Sequence, residues 1–515
     1  MRMGNVAALL LAAVVAISLL MPAAFAGLAQ TVLRQTLDTF GWFYLLVVSG
    51  ALLLLVYLAF SRHASVCIGG PDTEPDFSTV SWFSMLFAAG MGIGLVFFGA
   101  AEPVSHLFAP PEGLDPQTPL AARAAMRYAF FHWGLHPWAV YGLVGLAIAY
   151  FRFNHGANGQ FSGLLDPLLG KWSGARAAKV VDLLAILATV GGVATSLGFG
   201  AAQISGGIAH LTGLPAGRGT QLIVIAIATV LFLTSAATGV QRGIKILSNT
   251  NLVMAVALLL AVLLLGPTRF VLETFTTSLG SYVNQLAGMS LRLTPFTQRT
   301  WVAEWTAFYW AWWISWAPFV GSFIAQISRG RTIRQFVVGV LLVPTLFCFF
   351  WFSTFGGVAI HQQLFGGVDL APAMERGSEF VLFAVLEHLP LPAVTSVIAL
   401  VLLIIFFVTS ADSATLVLAS MASGGALALS LRSKLTWGLL ISGIAAALLV
   451  AGGLDGLQAG AVVSALPFAV VLCLVAASLL RRLDQDHRAR HEQEMARRRL
   501  VDELVAKSRA EGGKP

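Results

Sequence analysis

Six of the chain's thirteen tryptophans fall between positions 301 and 316: Trp301, Trp305, Trp310, Trp312, Trp313 and Trp316, with Tyr309 among them. On a helix, Trp305, Tyr309, Trp312 and Trp316 fall near one face, and Trp313 borders it. A second group, Trp133, Trp138 and Tyr141, surrounds Pro137; Trp133 and Tyr141 share a face, and Trp138 and Tyr141 are neighbours one turn apart. The chemistry open to such a set is capture of a quaternary ammonium. That cation has no N–H to donate, so a carboxylate offers it Coulomb attraction alone. An aromatic face attracts it through the ring quadrupole, by ~2 kcal/mol or more when desolvated. Aromatic core packing is the other use of the same spacing, and spacing alone does not separate the two.

These rings need helices to carry them, and composition says in what solvent. The 515 residues are 57% hydrophobic and 11% charged, against roughly 25% charged in soluble domains. Most of the chain must face lipid. A helix needs ~20 mostly apolar residues to cross the hydrocarbon core. Twelve segments satisfy this, at 4–26, 41–61, 80–108, 129–151, 180–207, 219–238, 249–267, 303–327, 335–357, 392–417, 437–452 and 458–480. Trp301 and Trp305 suit an interfacial belt, whereas Trp312, Trp313 and Trp316 lie too deep for one.

The net charge of +7 does not signal nucleic acid, because the basic residues lie in short loops and in the tail. With the N-terminus inside, thirteen Lys/Arg fall on inner loops and ten more in the tail, against eight outside. Both termini are then cytoplasmic. The tail after Leu480 reads as a charged solvated or membrane-facing helix, 481–509. Arg2, the apolar run 6–20 and Ala24-Phe25-Ala26 imitate a secretory signal; the polytopic pattern favours an uncleaved first span. The cysteines Cys67, Cys348 and Cys473 are too scattered for a disulfide framework or zinc site.

Two spans carry breaks. Gly90, Gly92 and Gly94 sit at the middle of the third, and each glycine weakens a helix by ~1 kcal/mol. Ala317-Pro318-Phe319-Val320-Gly321 interrupts the eighth. Backbone freed at membrane depth is tolerated inside protein or beside a cavity, and two interruptions in corresponding halves point to a transporter site. Close helix packing is the alternative for each.

With these motifs in view, the chain resembles the betaine–choline–carnitine transporter family from about Pro71 to Leu480. WTAFYWAWWISWAPFVG at 305–321 and ISRGRTIR at 327–334 are similar to its signature, as are GMGIGL at 90–95, Glu102-Pro103, His132-Trp133 and His136-Pro137-Trp138. The resemblance implies an all-α membrane protein of leucine-transporter type, two inverted five-helix repeats after two extra N-terminal helices; members are often trimers. The chain then divides into two N-terminal helices and a loop (1–79), the first repeat (80–268), an extracytoplasmic connection (269–302), the second repeat (303–480) and the tail (481–515). It also implies a substrate box of Trp133, Trp138, Tyr141 and Trp313, bordered by Trp312 and Trp316. The backbone at Gly90, Met91, Gly92 and Gly94 would meet a substrate carboxylate.

Sodium, as coupling ion, wants hard oxygen ligands. Thr409 and Ser410 are adjacent hydroxyls in an apolar span. Taken alone, such hydroxyls also bond the preceding turn. By resemblance they complete a sodium site with carbonyls at Ala88, Met91 and Phe406. A second site of the family would use Thr189 and Phe319, but Val193 stands where its other hydroxyl belongs. Gly94 occupies the place of an aspartate found in proton-coupled choline members, which favours sodium and a zwitterion. Gln326 stands where the family usually has arginine.

Glu102, Glu304, Asp182, Asp412, His132 and His136 lie in or near spans, mostly near span ends, where gating or capping is expected. The sequence shows no nucleophile–base–metal grouping of a membrane enzyme. It reads as a secondary importer of a quaternary-ammonium solute in a bacterial inner membrane, glycine betaine first and sodium-coupled, with no cofactor. The alternative is a choline, carnitine, ectoine or sulfonium carrier using protons or exchange.

Overall fold

Glycine and proline set most helix boundaries. The computed structural model describes residues 3–90, 92–170, 175–238, 241–297, 299–426 and 428–511. Among the described residues the chain is helical, and β-type pairing is confined to one antiparallel bridge, Cys67 with Thr332. Helix α1 (Met3–Leu20) ends where Pro22 restricts the residue before it, and α2 (Pro22–Phe60) begins there. At 39 residues, α2 also takes in positions 27–40, a stretch with no proline that lies between two expected spans.

The third span is broken as its glycines predict. Helix α3 (Thr79–Gly90) stops, Gly92 is fully extended (φ −159°, ψ 174°), and α4 (Ile93–Phe108) restarts. The fourth span is broken too, at a point that spacing did not mark. Helices α5 (Pro119–Trp133) and α6 (Leu135–His155) join at Gly134 (φ −92°, ψ −134°), where a Cβ would come within 2.5 Å of the Phe130 carbonyl oxygen. Pro137 lies in the first turn of α6, where no intrahelical N–H bond is lost.

The chain continues through α7 (Asp166–Leu169), α8 (Ala175–Thr212), α9 (Arg218–Thr238) and α10 (Gln241–Leu265). The connection expected at 269–302 is largely a further helix, α11 (Thr268–Ser290), bent 109° from α10 across Gly266-Pro267.

The expected break at Ala317–Gly321 is absent. A π-type turn at Ala303–Ala307 leads into α12 (Phe308–Ile327), which runs unbroken through Pro318. Gly321 serves close packing instead: a Cβ there would lie 2.6 Å from Val144 of α6. Helix α13 (Ile333–Leu364) opens on a capping box of Thr332 and Gln335. It is followed by α14 (Ala371–Arg376), α15 (Ser378–Glu387), α16 (Pro392–Ala422) and α17 (Leu431–Glu511). Within α17 the backbone reverses at Gly453 (φ 58°), so that Gly456 and Gly460 pack back against Leu448. Two helical halves joined at this kink thus carry the eleventh and twelfth expected spans, and the second half runs on into the tail.

Among the described residues, eight helices are long and apolar enough to cross a membrane, or nine with α10 and α11 as one bent span. The rest of the expected twelve are α1, which is short, α12, whose tryptophans score low in hydropathy, and the second half of α17. The tail is exposed from 488 to 507. Its base is held down: Asp484 bonds Arg62 (2.7 Å) and His63 (3.0 Å), and Asp486 bonds Tyr150 (2.5 Å) and His155 (2.7 Å).

Candidate functional site

The two halves of the broken third span, α5, α6, α8, α10, α12, α13 and α16 line a cavity of about 290 Å³. Trp133, Trp138, Tyr141, Trp312, Trp313 and Trp316 all line it, as do Ala88, Gly92, Gly94, Phe319, Phe406, Thr409 and Ser410. Nearly every residue singled out by motif therefore meets in one place. Met91 falls outside the described residues, and Gly90 ends α3. Thr189 does not line the cavity; its hydroxyl donates to the Ala185 carbonyl (2.7 Å).

Four of the indoles that line the cavity have their polar edges engaged in hydrogen bonds. Trp133 Nε1 donates to Glu102 (2.8 Å), Trp313 Nε1 to the His132 carbonyl (3.0 Å), Trp312 Nε1 to Ser196 Oγ (3.2 Å) and Trp316 Nε1 to the Gly192 carbonyl (2.7 Å). Trp313 is stacked on Trp312 (centroids 4.7 Å apart, 16°) and stands edge-on to Trp133 (4.8 Å, 74°). Tyr141 is edge-on to both Trp138 (5.5 Å) and Trp313 (6.2 Å). Locked rings around an apolar space are the physical requirement for cation–π capture.

Two kinds of polar surface reach the same cavity. One is the N-terminus of α4. Gly92 has no side chain to cap it, and a Cβ there would meet nothing within 4 Å. The first N–H groups of a helix have no intrahelical partner and carry a partial positive charge, which suits a carboxylate. The other is the oxygen cluster on α16. Thr409 Oγ1 donates to the Ile405 carbonyl (2.8 Å), the local bond that such hydroxyls ordinarily make. A hydroxyl that gives its proton backward keeps its lone pairs for a cation. Ser410, Phe406 and Ala88 line the same cavity.

The cavity also holds residues that motif reading passed over. Asn251 is buried with its side-chain oxygen unpartnered; it closes the polar run 248–251 just before an apolar stretch. Ser413 extends the hydroxyl row by one turn. Ser196 lines the wall, whereas Thr195 turns away to bond the Gly191 and Leu457 carbonyls.

The two ends of the cavity differ. At one end Gln326 and Ala88 are exposed, and Phe323 is partly so. At the other, fully buried Glu102, His106, His132 and Tyr309 block the way, with Trp301 and Trp305 packed over His106 (4.8 and 4.4 Å). Glu102, His132, His136 and Asp412 are buried rather than lying at wet span ends. Asp182 does cap, accepting from Ser162 N (3.0 Å) and Oγ (2.8 Å), and Glu304 is exposed. Glu102, His106 and His132 bring ligand-type atoms within 4.8 Å of one another, the spacing of metal ligands. Linear sequence hid that grouping.

In the signature loop after α12, Arg331 is buried over the Trp82 ring (4.9 Å) and bonds the Phe77 carbonyl (2.6 Å) and Thr79 (3.1 Å). It ties the loop to the start of α3.

A model of the betaine/carnitine/choline family of transporters matches residues 4–488. The glycine betaine transporter OpuD of Bacillus subtilis (strain 168) is 48% identical over 479 residues, covering 93% of each chain. The ectoine/hydroxyectoine transporter of Virgibacillus pantothenticus is 44% identical over 466 residues, covering 90% of this chain and 93% of its own. A glycine betaine transporter of Acinetobacter baylyi is 41% identical over 479 residues, covering 93% and 72%. The chain belongs to the betaine/carnitine/choline family of membrane transporters, and it is a carrier rather than an enzyme.

Proposed function

We propose that this protein imports a quaternary-ammonium compatible solute, glycine betaine first, by alternating access coupled to sodium. The observation that carries the reading is the cavity lined by Trp133, Trp138, Tyr141 and Trp313 together. A trimethylammonium group fits among the rings. The substrate carboxylate turns to the uncapped α4 N-terminus at Gly92 and Gly94.

Sodium takes Thr409, Ser410 and the carbonyls of Ala88 and Phe406, with Met91 as the further family position. This one set suffices for coupling; Thr189 and Phe319 without a hydroxyl at Val193 make a poor second. Gln326 and Ala88 face the cytoplasm, consistent with the Lys/Arg bias of the loops. The state described is then open to the inside of a bacterial inner membrane, with both termini cytoplasmic.

Two of the similar proteins named above are glycine betaine transporters, which supports the choice of solute. The ectoine/hydroxyectoine relative makes ectoine the competitor to test. The deciding measurement is uptake of labelled glycine betaine, in cells lacking other importers, with sodium or potassium at fixed pH. Sodium-dependent uptake that excess ectoine displaces poorly is expected. Unchanged uptake in potassium overturns the coupling, and preferential displacement by ectoine overturns the solute.

A further inference from the structure

Glu102 sits behind the box, on α4, and is completely buried. Its carboxylate is divided between two tasks. Oε2 accepts from Trp133 Nε1 (2.8 Å) and from the Tyr309 hydroxyl (2.5 Å). Oε1 meets His132 Nδ1 (2.7 Å) and His106 Nε2 (3.2 Å). The other ring nitrogen of His132, Nε2, lies within hydrogen-bond distance of Thr306 Oγ1 (2.9 Å). The far nitrogen of His106 has no partner, as a neutral ring allows. Four donors around two oxygens match the acceptor capacity of an ionised carboxylate. Its ion-pair partners among the described residues are these two imidazoles, with no Lys or Arg. Neither imidazole carries a permanent charge, so the carboxylate has no fixed cation beside it among the described residues.

An anion buried without a cation is unfavourable unless something positive comes to it. In this protein what comes is the substrate headgroup. We propose that Glu102 is the counter-charge of the aromatic box, delivered through Trp133, and that it sets the preference for a cationic headgroup over a neutral one of the same shape. The inference rests on the cavity being the quaternary-ammonium site. An indole whose N–H donates to a carboxylate carries more electron density on its ring, and a richer ring face attracts a cation more strongly. Trp133 is the wall residue that touches both, with its N–H on Glu102 and its ring in the cavity. The arrangement keeps the charge out of direct contact with the ligand, so a zwitterion's own carboxylate is not repelled at close range.

Glycine betaine and 3,3-dimethylbutanoate differ only in a nitrogen replaced by a carbon, hence in the positive charge. Equilibrium binding of both to purified protein, with thermal unfolding run in parallel, tests the proposal. The wild type is expected to prefer betaine at least about a hundredfold. Glu102→Gln keeps the shape and can still accept from Trp133, and is expected to weaken betaine about tenfold while leaving the carbon analogue unchanged or tighter. Equal weakening of both ligands, or undiminished betaine binding by a folded variant, overturns the proposal. If Glu102→Gln does not fold, Tyr309→Phe decides, since it removes a donor and leaves the charge. It should keep or sharpen the preference, and a lost preference overturns the proposal. A wild type that does not distinguish the two ligands refutes the underlying site reading instead.

Discussion

Gly94 lies against the edge of Trp312: a Cβ on Gly94 would come 2.7 Å from Trp312 Cη2 and 3.0 Å from Trp133 Cη2. Two box rings therefore occupy the volume a side chain would need. Overpacking of this kind costs ~1–3 kcal/mol. Gly94→Ala should raise the half-saturating betaine concentration by roughly fivefold to a hundredfold. Gly94→Asp should do worse, because it adds a charge as well as bulk. Uptake kinetics in both variants check this; a normal Gly94→Asp importer would show that Trp312 and Trp133 can swing aside.

Trp313 contributes a face stacked on Trp312 and edge-on to Trp133 and Tyr141. Its removal in Trp313→Ala forfeits one desolvated cation–π contact of ~2 kcal/mol, or about thirtyfold in affinity. Trp313→Phe should lose less. Transport at the native half-saturation in the alanine variant would exclude Trp313 from the box.

Thr409 and Ser410 are expected to act on sodium rather than on betaine. Thr409→Val and Ser410→Ala each remove one oxygen, and a bond to a charged group is worth ~1.5–3 kcal/mol. The half-saturating sodium concentration should rise by roughly tenfold to a hundredfold. Betaine half-saturation, measured at saturating sodium, should stay near the wild-type value. A rise in betaine half-saturation with unaltered sodium dependence would place these hydroxyls on the substrate.

His63, in the loop after α2, is buried at the base of the tail beside Asp484. Burial pulls its pKa below the ordinary 6.5; Asp484 acts in the opposite direction, while Arg62 and His487 reinforce the depression. A lowered folded-state value means the contribution to stability is present above 6.5 and is lost as pH falls through the folded value. Melting of the purified protein should therefore drop between pH 7.5 and 5.5, and His63→Gln should flatten that slope by about one or two degrees. An identical slope in the variant would assign the effect to other groups.

The residues that line the cavity were largely legible because their types are unusual for where they stand. Tryptophans at membrane depth, three glycines in five positions and paired hydroxyls in an apolar span each break a local expectation. What stayed hidden depends on neighbours. Pro318 looked like a break, but whether proline opens a helix depends on what surrounds the freed carbonyl, and α12 is buried on most sides. Gly134 does break a span, yet a lone glycine carries little signal; its reason is the Phe130 carbonyl and the Phe349 ring pressed against it. Helix α11 escaped notice because it mixes polar and apolar residues. Glu102 and His106 are one turn apart and could be paired on paper, but His132 joins them only because α5 packs on α4.

The blocked end of the cavity has an electrical consequence. Water and ions entering past Gln326 can reach Thr409 but stop at Trp133 and the buried layer of Glu102, His132 and Tyr309 behind it. With sealing confined to that buried aromatic layer, the membrane voltage would fall mainly across it rather than across the whole bilayer. Moving one charge through the full potential is worth about 2.3 kcal/mol per 100 mV. Most of that work would be done when the layer re-forms on the other side of a bound ion, and little of it as the ion diffuses in from the Gln326 mouth.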